Sequence, residues 1–205
     1  FGSNNYLGLT THPKVREAAV AAIARFGTSM TGSRFVNGSM MLHGEFEGKI
    51  ASFYGRESAL VFTTGYQVNL ALGSALLGAE DCVAVVDRSV HASIYDGVRL
   101  GQAAGGRMVR FRHNAAASLD RALSKLKDNE SALVMTDGVF SVEGDIARLD
   151  DLVPIIQKHG ARLFVDAAHA FGVTGPGGRG TAHYFGLEGE VDLIGGTFSK
   201  SLASV

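Results

Sequence analysis

Lys200 follows a short apolar run, Val191, Leu193 and Ile194, and a Gly195-Gly196 turn, with Thr197, Ser199 and Ser201 beside it. The run reads as a strand, so the turn sets hydroxyls and one amine at a strand's C-terminal end. In an open α/β sheet that end is where ligands bind. A lysine held there, partly desolvated, has a lowered pKa and can form a Schiff base with a carbonyl. The same residues would also make an ordinary polar surface loop. What decides between the two is the chemistry at the other strand ends.

Residues 59–62 lead to Thr63-Thr64-Gly65-Tyr66 and then to a helical pattern. Hydroxyls and free N–H groups at a helix N-terminus favour an anion such as phosphate, although Thr63 or Thr64 would equally serve as an ordinary cap. Residues 82–86 lead to Asp87-Arg88-Ser89-Val90-His91, and residues 132–135 to Thr136-Asp137-Gly138-Val139-Phe140-Ser141. Residues 163–165 end at Asp166, with His169 three positions later. Asp166 either caps the following turn or holds a proton on a heterocyclic nitrogen. Together these ends offer an anion cradle, a planar imidazole, a carboxylate, further donors and a Schiff-base lysine. Pyridoxal phosphate requires that set.

The elements that must position these groups alternate in period. Pro13 opens a helix with Val15, Ala18, Ala19, Ala22, Ile23 and Phe26 on one face, and Gly27 closes it. A loop over 28–38 surrounds Arg34, and a second helix over 42–54 carries Leu42, Phe46, Ile50 and Phe53. Strands are then predicted at 59–62, 82–86, 108–111, 132–135, 163–165 and 191–194, with helices at 67–77, 93–103, 119–126 and 149–158. This order implies a three-layer α/β/α domain around a mostly parallel sheet. It divides into an N-terminal arm and dimer-contact loop, 1–40, and a cofactor-binding large domain, 41–205.

The chain has 205 residues, 46% hydrophobic and 19% charged, with a formal net charge of −1, which gives no basis for nucleic-acid or anionic-membrane binding. Its single cysteine, Cys82, lies in an apolar run; it reads as a buried structural thiol and suits a reducing cytoplasm. No apolar stretch approaches the ~20 residues that span a bilayer. No metal site is expected. The opening at Phe1-Gly2-Ser3 and the stop five residues after Lys200 suggest a fragment.

The motifs Asn4-Asn5-Tyr6-Leu7-Gly8-Leu9, Thr31-Gly32-Ser33-Arg34, Thr64-Gly65-Tyr66, His91-Ala92-Ser93-Ile94, Asp137-Gly138-Val139-Phe140-Ser141, Asp166-Ala167-Ala168-His169, Gly178-Arg179-Gly180 and Gly196-Thr197-Phe198-Ser199-Lys200 run through the chain in order. In these it resembles the α-oxoamine synthases, fold-type I pyridoxal-phosphate enzymes that condense an amino acid with an acyl-CoA and release carbon dioxide. The resemblance implies that Lys200 carries the cofactor and moves the substrate Cα proton. It further implies that Asp166 pairs with the pyridine nitrogen, that His91 stacks on the ring and orients the substrate, and that Ser141 and His169 bond the phenolic oxygen. Thr64, Gly65, Tyr66 and Thr197 are placed around the phosphate, and Asn5 near the substrate.

Ser33 and Arg34 belong to the loop expected to reach the partner subunit of a homodimer with a shared active site. Two positions depart from the family pattern, Ala167 where a second acid is usual and Ala170 where Gly or Ser is usual, and neither removes a group that touches the cofactor. The family's substrate-carboxylate arginine would lie beyond Val205. Within the family the motifs are similar to those of bacterial serine palmitoyltransferases, with glycine C-acetyltransferase and 8-amino-7-oxononanoate synthase as alternatives. A non-catalytic partner subunit of the same fold would be expected to lack Lys200.

Overall fold

A computed structural model describes residues 2–204, so Phe1 and Val205 lie outside it. Five parallel strands form one sheet: β1 (Cys82–Asp87), β2 (Arg107–Phe111), β3 (Ser131–Asp137), β4 (Arg162–Asp166) and β5 (Leu193–Gly195), in the order β2-β1-β3-β4-β5. Val83 to Val86 of β1 are fully buried, as a parallel strand covered on both faces requires.

The helices are α1 (Pro13–Phe26), α2 (Met41–Tyr54), α3 (Gly65–Leu76), α4 (Ala92–Ala103), α5 (Ala116–Leu123), α6 (Leu149–Lys158) and the short α7 (Thr181–Tyr184). Right-handed crossovers fix their sides. The step from β1 to β2 runs one way across the sheet and the steps to β3 and β4 run back, so α4 lies on the opposite face from α5 and α6. The pairs α3/α4 and α5/α6 accordingly pack together. The direction changes between β1 and β3, and there the strand ends open a crevice.

α3 approaches α4 closely because glycines meet at the crossing. A methyl group added at Gly97 would lie 2.1 Å from the Asn69 carbonyl oxygen, and one at Gly73 would lie 2.2 Å from the Gly97 backbone. Both helix backbones would have to move apart. Gly97→Ala should therefore destabilise the full-length protein by at least the ~1–3 kcal/mol typical of an overpacked core. A lowered urea midpoint at unchanged slope checks this, and an unchanged midpoint would contradict it.

The apolar face predicted for the second helix packs against the loop that carries Lys200. Phe46 of α2 meets Phe198 with ring centroids 4.9 Å apart, and Phe53 meets Phe171 at 5.5 Å. Ser201, fully buried, donates to the Phe171 carbonyl at 2.6 Å. Lys200 is thus pinned on both sides by its chain neighbours.

Three expectations change. Residues 59–62 are not a strand: the Val61 N–H donates to Glu47 at 2.9 Å, and its carbonyl accepts from Arg34 at 2.9 Å. Side chains satisfy the backbone that a ladder would have used, and Leu60 is largely exposed. The first helix forms where predicted but buries none of its residues; Ile23 of its predicted apolar face stands exposed, as does Val20 off that face. Cys82 is half-buried at the start of β1 rather than in the core.

Candidate active site

The crevice at the C-terminal ends of β1, β3, β4 and β5 is a cleft of about 210 Å³. It gathers Thr64, Gly65, Tyr66, His91, Asp166, His169, Thr197 and Lys200, eight residues singled out in the sequence from four separate segments. Each reaches it for a local reason.

Thr64 is the N-cap of α3, its Oγ1 accepting from the Gln67 N–H at 3.2 Å, so the free N–H groups of that helix face the cleft. A methyl group at Gly65 would lie 3.1 Å from Thr197 Cβ, so a side chain there would crowd the space between helix and lysine loop. Thr197 Oγ1 pairs with Ser199 Oγ at 2.8 Å. Tyr66 donates its hydroxyl to Asp96 at 2.6 Å. These groups form the end of the cleft suited to an anion.

Asp166 ends β4, and only 8% of it is exposed. Its Oδ1 accepts from the Ala168 N–H at 2.9 Å and its Oδ2 from Asn69 Nδ2 at 2.8 Å. His91 caps α4, with Nδ1 2.6 Å from Ser93 Oγ and accepting from the Ser93 N–H at 3.2 Å. His169 Nδ1 lies 2.6 Å from the Tyr6 hydroxyl, which ties the N-terminal arm to the cleft. Burial, and then the nearby Lys200, lower the His169 pKa. Burial also lowers the Lys200 pKa against the opposing pull of Asp166 and Asp137, enlarging the unprotonated fraction of its amine near neutrality.

Asn5 and Ser141 do not line the cleft of this chain. Asn5 donates to Thr10 Oγ1 at 2.8 Å within its own arm. Ser141 is exposed at a turn beyond β3, because Val139 pairs with Ile146 and the Phe140 ring is fully buried, which carries the chain away. Arg34 turns back onto its own chain, forming a bidentate pair with Glu47 at 2.7 and 3.1 Å.

Four contributors were given no role from the sequence: Asn69, which no motif included, and Ser93, Asp137 and Tyr6, which lay inside quoted motifs. Asn69 had a usable signal, a polar residue one turn after Gly65 in an otherwise apolar helix face. Asp137 is buried beside Asp166, its partner in strand register, and accepts the His91 N–H at 3.2 Å. Burial, with the neighbouring Asp166 carboxylate, pushes its pKa up to about 8. The folded protein then holds a proton that the unfolded chain releases near pH ~3.9, so stability falls as pH rises between those two values. Asp137→Asn keeps an acceptor for His91 and abolishes the titration. In melts of the cofactor-free full-length protein, the drop in Tm from pH 5 to pH 8.5 should be smaller for the variant than for the parent. An identical drop would show that Asp137 does not carry it.

The cleft's lining fits a phosphorylated pyridine aldehyde: hydroxyls and helix N–H groups for the phosphate, a carboxylate for the ring nitrogen and an amine for the aldehyde. Among the described residues no group of three or more His, Cys, Asp or Glu side chains is arranged to hold a metal ion, and no helix is long and apolar enough to cross a membrane.

A serine palmitoyltransferase of Sphingobacterium spiritivorum is 46% identical over 205 residues, all of this chain and 50% of that protein. An 8-amino-7-oxononanoate synthase of Citrifermentans bemidjiense is 47% identical over 202 residues, covering 98% of this chain and 51% of that protein. Among solved structures, serine palmitoyltransferase from S. paucimobilis with a bound PLP–myriocin aldimine superposes with a TM-score of 0.94 at 44% identity, over all of this chain and 50% of that one. The chain therefore spans about half the length of the relatives it matches. The profile of aminotransferase class I and II matches residues 1–205, and the chain belongs to that family.

Proposed function

We propose that the full-length protein is a pyridoxal-phosphate-dependent acyltransferase that condenses an amino acid with an acyl-CoA and releases carbon dioxide, in the manner of a serine palmitoyltransferase. The observation that carries this reading is the meeting of Lys200, Asp166 and His91 in one cleft at the sheet's switch point. Pyridoxal phosphate, when bound, supplies a sink for negative charge developing at the substrate Cα.

This chain's residues do the rest. Thr64, Gly65, Tyr66 and Thr197 hold the phosphate end, and Asp166 keeps a proton on the ring nitrogen. Lys200 carries the cofactor and then takes the Cα proton as a free amine, which its lowered pKa favours. His91, lining the same cleft, would pack against the cofactor and donate to the substrate carboxylate or a developing oxyanion, a role in which one donor contributes about 3–4 kcal/mol. His169 is assigned to the phenolic oxygen; for Ser141 and Asn5, which do not line this chain's cleft, the roles at that oxygen and on the substrate side rest on the family resemblance.

A cytoplasmic homodimer with a shared site completes the reading, with residues 1–40 as arm and contact loop and 41–205 as the large domain. It is supported by the fully exposed Phe35 and the largely exposed Val36 of the Arg34 loop, and by the largely exposed Met41 just after it.

Carboxyl-labelled serine with a long-chain acyl-CoA should release labelled carbon dioxide and free CoA from the full-length enzyme. The 8-amino-7-oxononanoate synthase relatives support a second reading with another amino acid and acyl-CoA, as would a glycine C-acetyltransferase. CoA release with glycine or alanine and none with serine would move the assignment there. No release with any pair would overturn the reaction class.

A further inference from the structure

Two buried side chains connect Asp166 to His91. We propose that Asn69 and Ser93 are positioning residues that form a one-way hydrogen-bond relay, fixing His91 with its ring hydrogen on Nε2 so that it faces the cleft as a donor.

The direction follows from what each atom can do. Asn69 is 2% exposed, and its Nδ2 lies 2.8 Å from both Asp166 Oδ2 and Ser93 Oγ. Reversing the amide would set its oxygen against the Asp166 carboxyl at that distance, two acceptors face to face. The adopted orientation uses both amide hydrogens and leaves Asn69 Oδ1 buried with no partner among the described residues. That the arrangement tolerates an orphaned acceptor indicates that the two donations outweigh it.

Ser93 Oγ, 1% exposed at the residue level, receives one of those hydrogens, so its own hydrogen is free to donate. The acceptor in reach is His91 Nδ1 at 2.6 Å. That nitrogen also accepts the Ser93 N–H at 3.2 Å. With two donors directed at Nδ1, the neutral ring carries its hydrogen on Nε2. The main chain is fixed separately, since the His91 N–H donates to Asp137 at 3.2 Å. The glycine crossing of α3 and α4 brings the two side chains within reach, because Asn69 lies at the Gly97 contact and Ser93 one turn before Gly97.

The proposal rests on the reading of His91 as the group over the cofactor, but its test does not depend on turnover. Full-length protein labelled with ¹⁵N-histidine would be examined by magic-angle-spinning NMR, and the His91 signals identified by subtracting the spectrum of His91→Gln. The expected result is an unprotonated Nδ1 and a protonated Nε2. In Ser93→Ala the second tautomer should appear, and Ser93→Thr, which keeps the hydroxyl, should restore the first. With cofactor bound, Ser93→Ala should also weaken amino-acid binding roughly tenfold, the weight of one hydrogen bond to a charged group.

A hydrogen on Nδ1 in the parent protein overturns the relay, whatever the enzyme condenses. So does a Ser93→Ala spectrum identical to the parent's. If Ser93→Ala does not fold, the parent spectrum alone decides. Failure of the protein to bind pyridoxal phosphate would instead sink the functional reading and leave the tautomer result standing.

Discussion

Full-length protein in which Lys200 is replaced by alanine should fold and dimerise as the parent does, yet no longer hold pyridoxal phosphate covalently. Borohydride should fix the cofactor to a single peptide of the parent, the one containing Lys200, and to none of the variant. The fold should survive because no hydrogen bond or ion pair among the described residues uses the lysine amine, while the loop is anchored by Phe198 in the aromatic cluster and by buried Ser201. Turnover should fall by at least the ~10²–10⁴-fold associated with a lost general base. The covalent attachment that organises the site is lost as well. The nucleophile is the free amine, so burial of Lys200 would serve both the proposed attachment and the proposed proton transfer. An adduct that maps to another lysine, or a variant that turns over at the parental rate, would end the assignment.

Lys200 was legible because a short apolar run, two glycines and a cluster of hydroxyls make a local signature. Asp166 was legible because it ends a run that is buried on both faces. The parallel sheet followed from the alternation of such runs with helical spacing, and the comparison structure bears out that fold. Residues 59–62 have the composition of a strand, but composition cannot report that Arg34 and Glu47 capture the Val61 backbone first.

Asn69 and Ser93 were given no role for a different reason. Their importance is created by how closely α3 and α4 approach, and that depends on glycines whose absent side chains leave no periodic signal. Tyr6 contacts His169 across 163 positions of sequence, a pairing that no local pattern encodes. The spacing of the motif around Ser141 likewise gave no warning that buried Phe140 turns the chain away from the cleft.

Asp166→Asn should be nearly as damaging as the loss of Lys200, through charge rather than attachment. A carboxylate about 4 Å from a protonated ring nitrogen, at the effective dielectric of a protein site, contributes about 4 kcal/mol. Losing it corresponds to roughly three powers of ten in any step that needs the ring protonated. Exchange of the substrate α-proton with deuterated solvent reads that step directly by NMR, without acyl-CoA.

The isosteric amide carries a second penalty. Asp166 accepts on both oxygens, from Ala168 N–H and from Asn69, so an asparagine must turn its NH₂ toward one of two donors. The unmade hydrogen bond costs about 1–3 kcal/mol. The same change removes the like charge that helps raise the Asp137 pKa, so Asp137 should titrate below about 8, with burial still holding it above the ordinary range. Exchange at the parental rate would remove Asp166 from the role of ring-nitrogen partner. Slow exchange with an unmoved Asp137 titration would keep that role and place the two carboxyls out of electrostatic contact, contrary to their paired positions in β3 and β4.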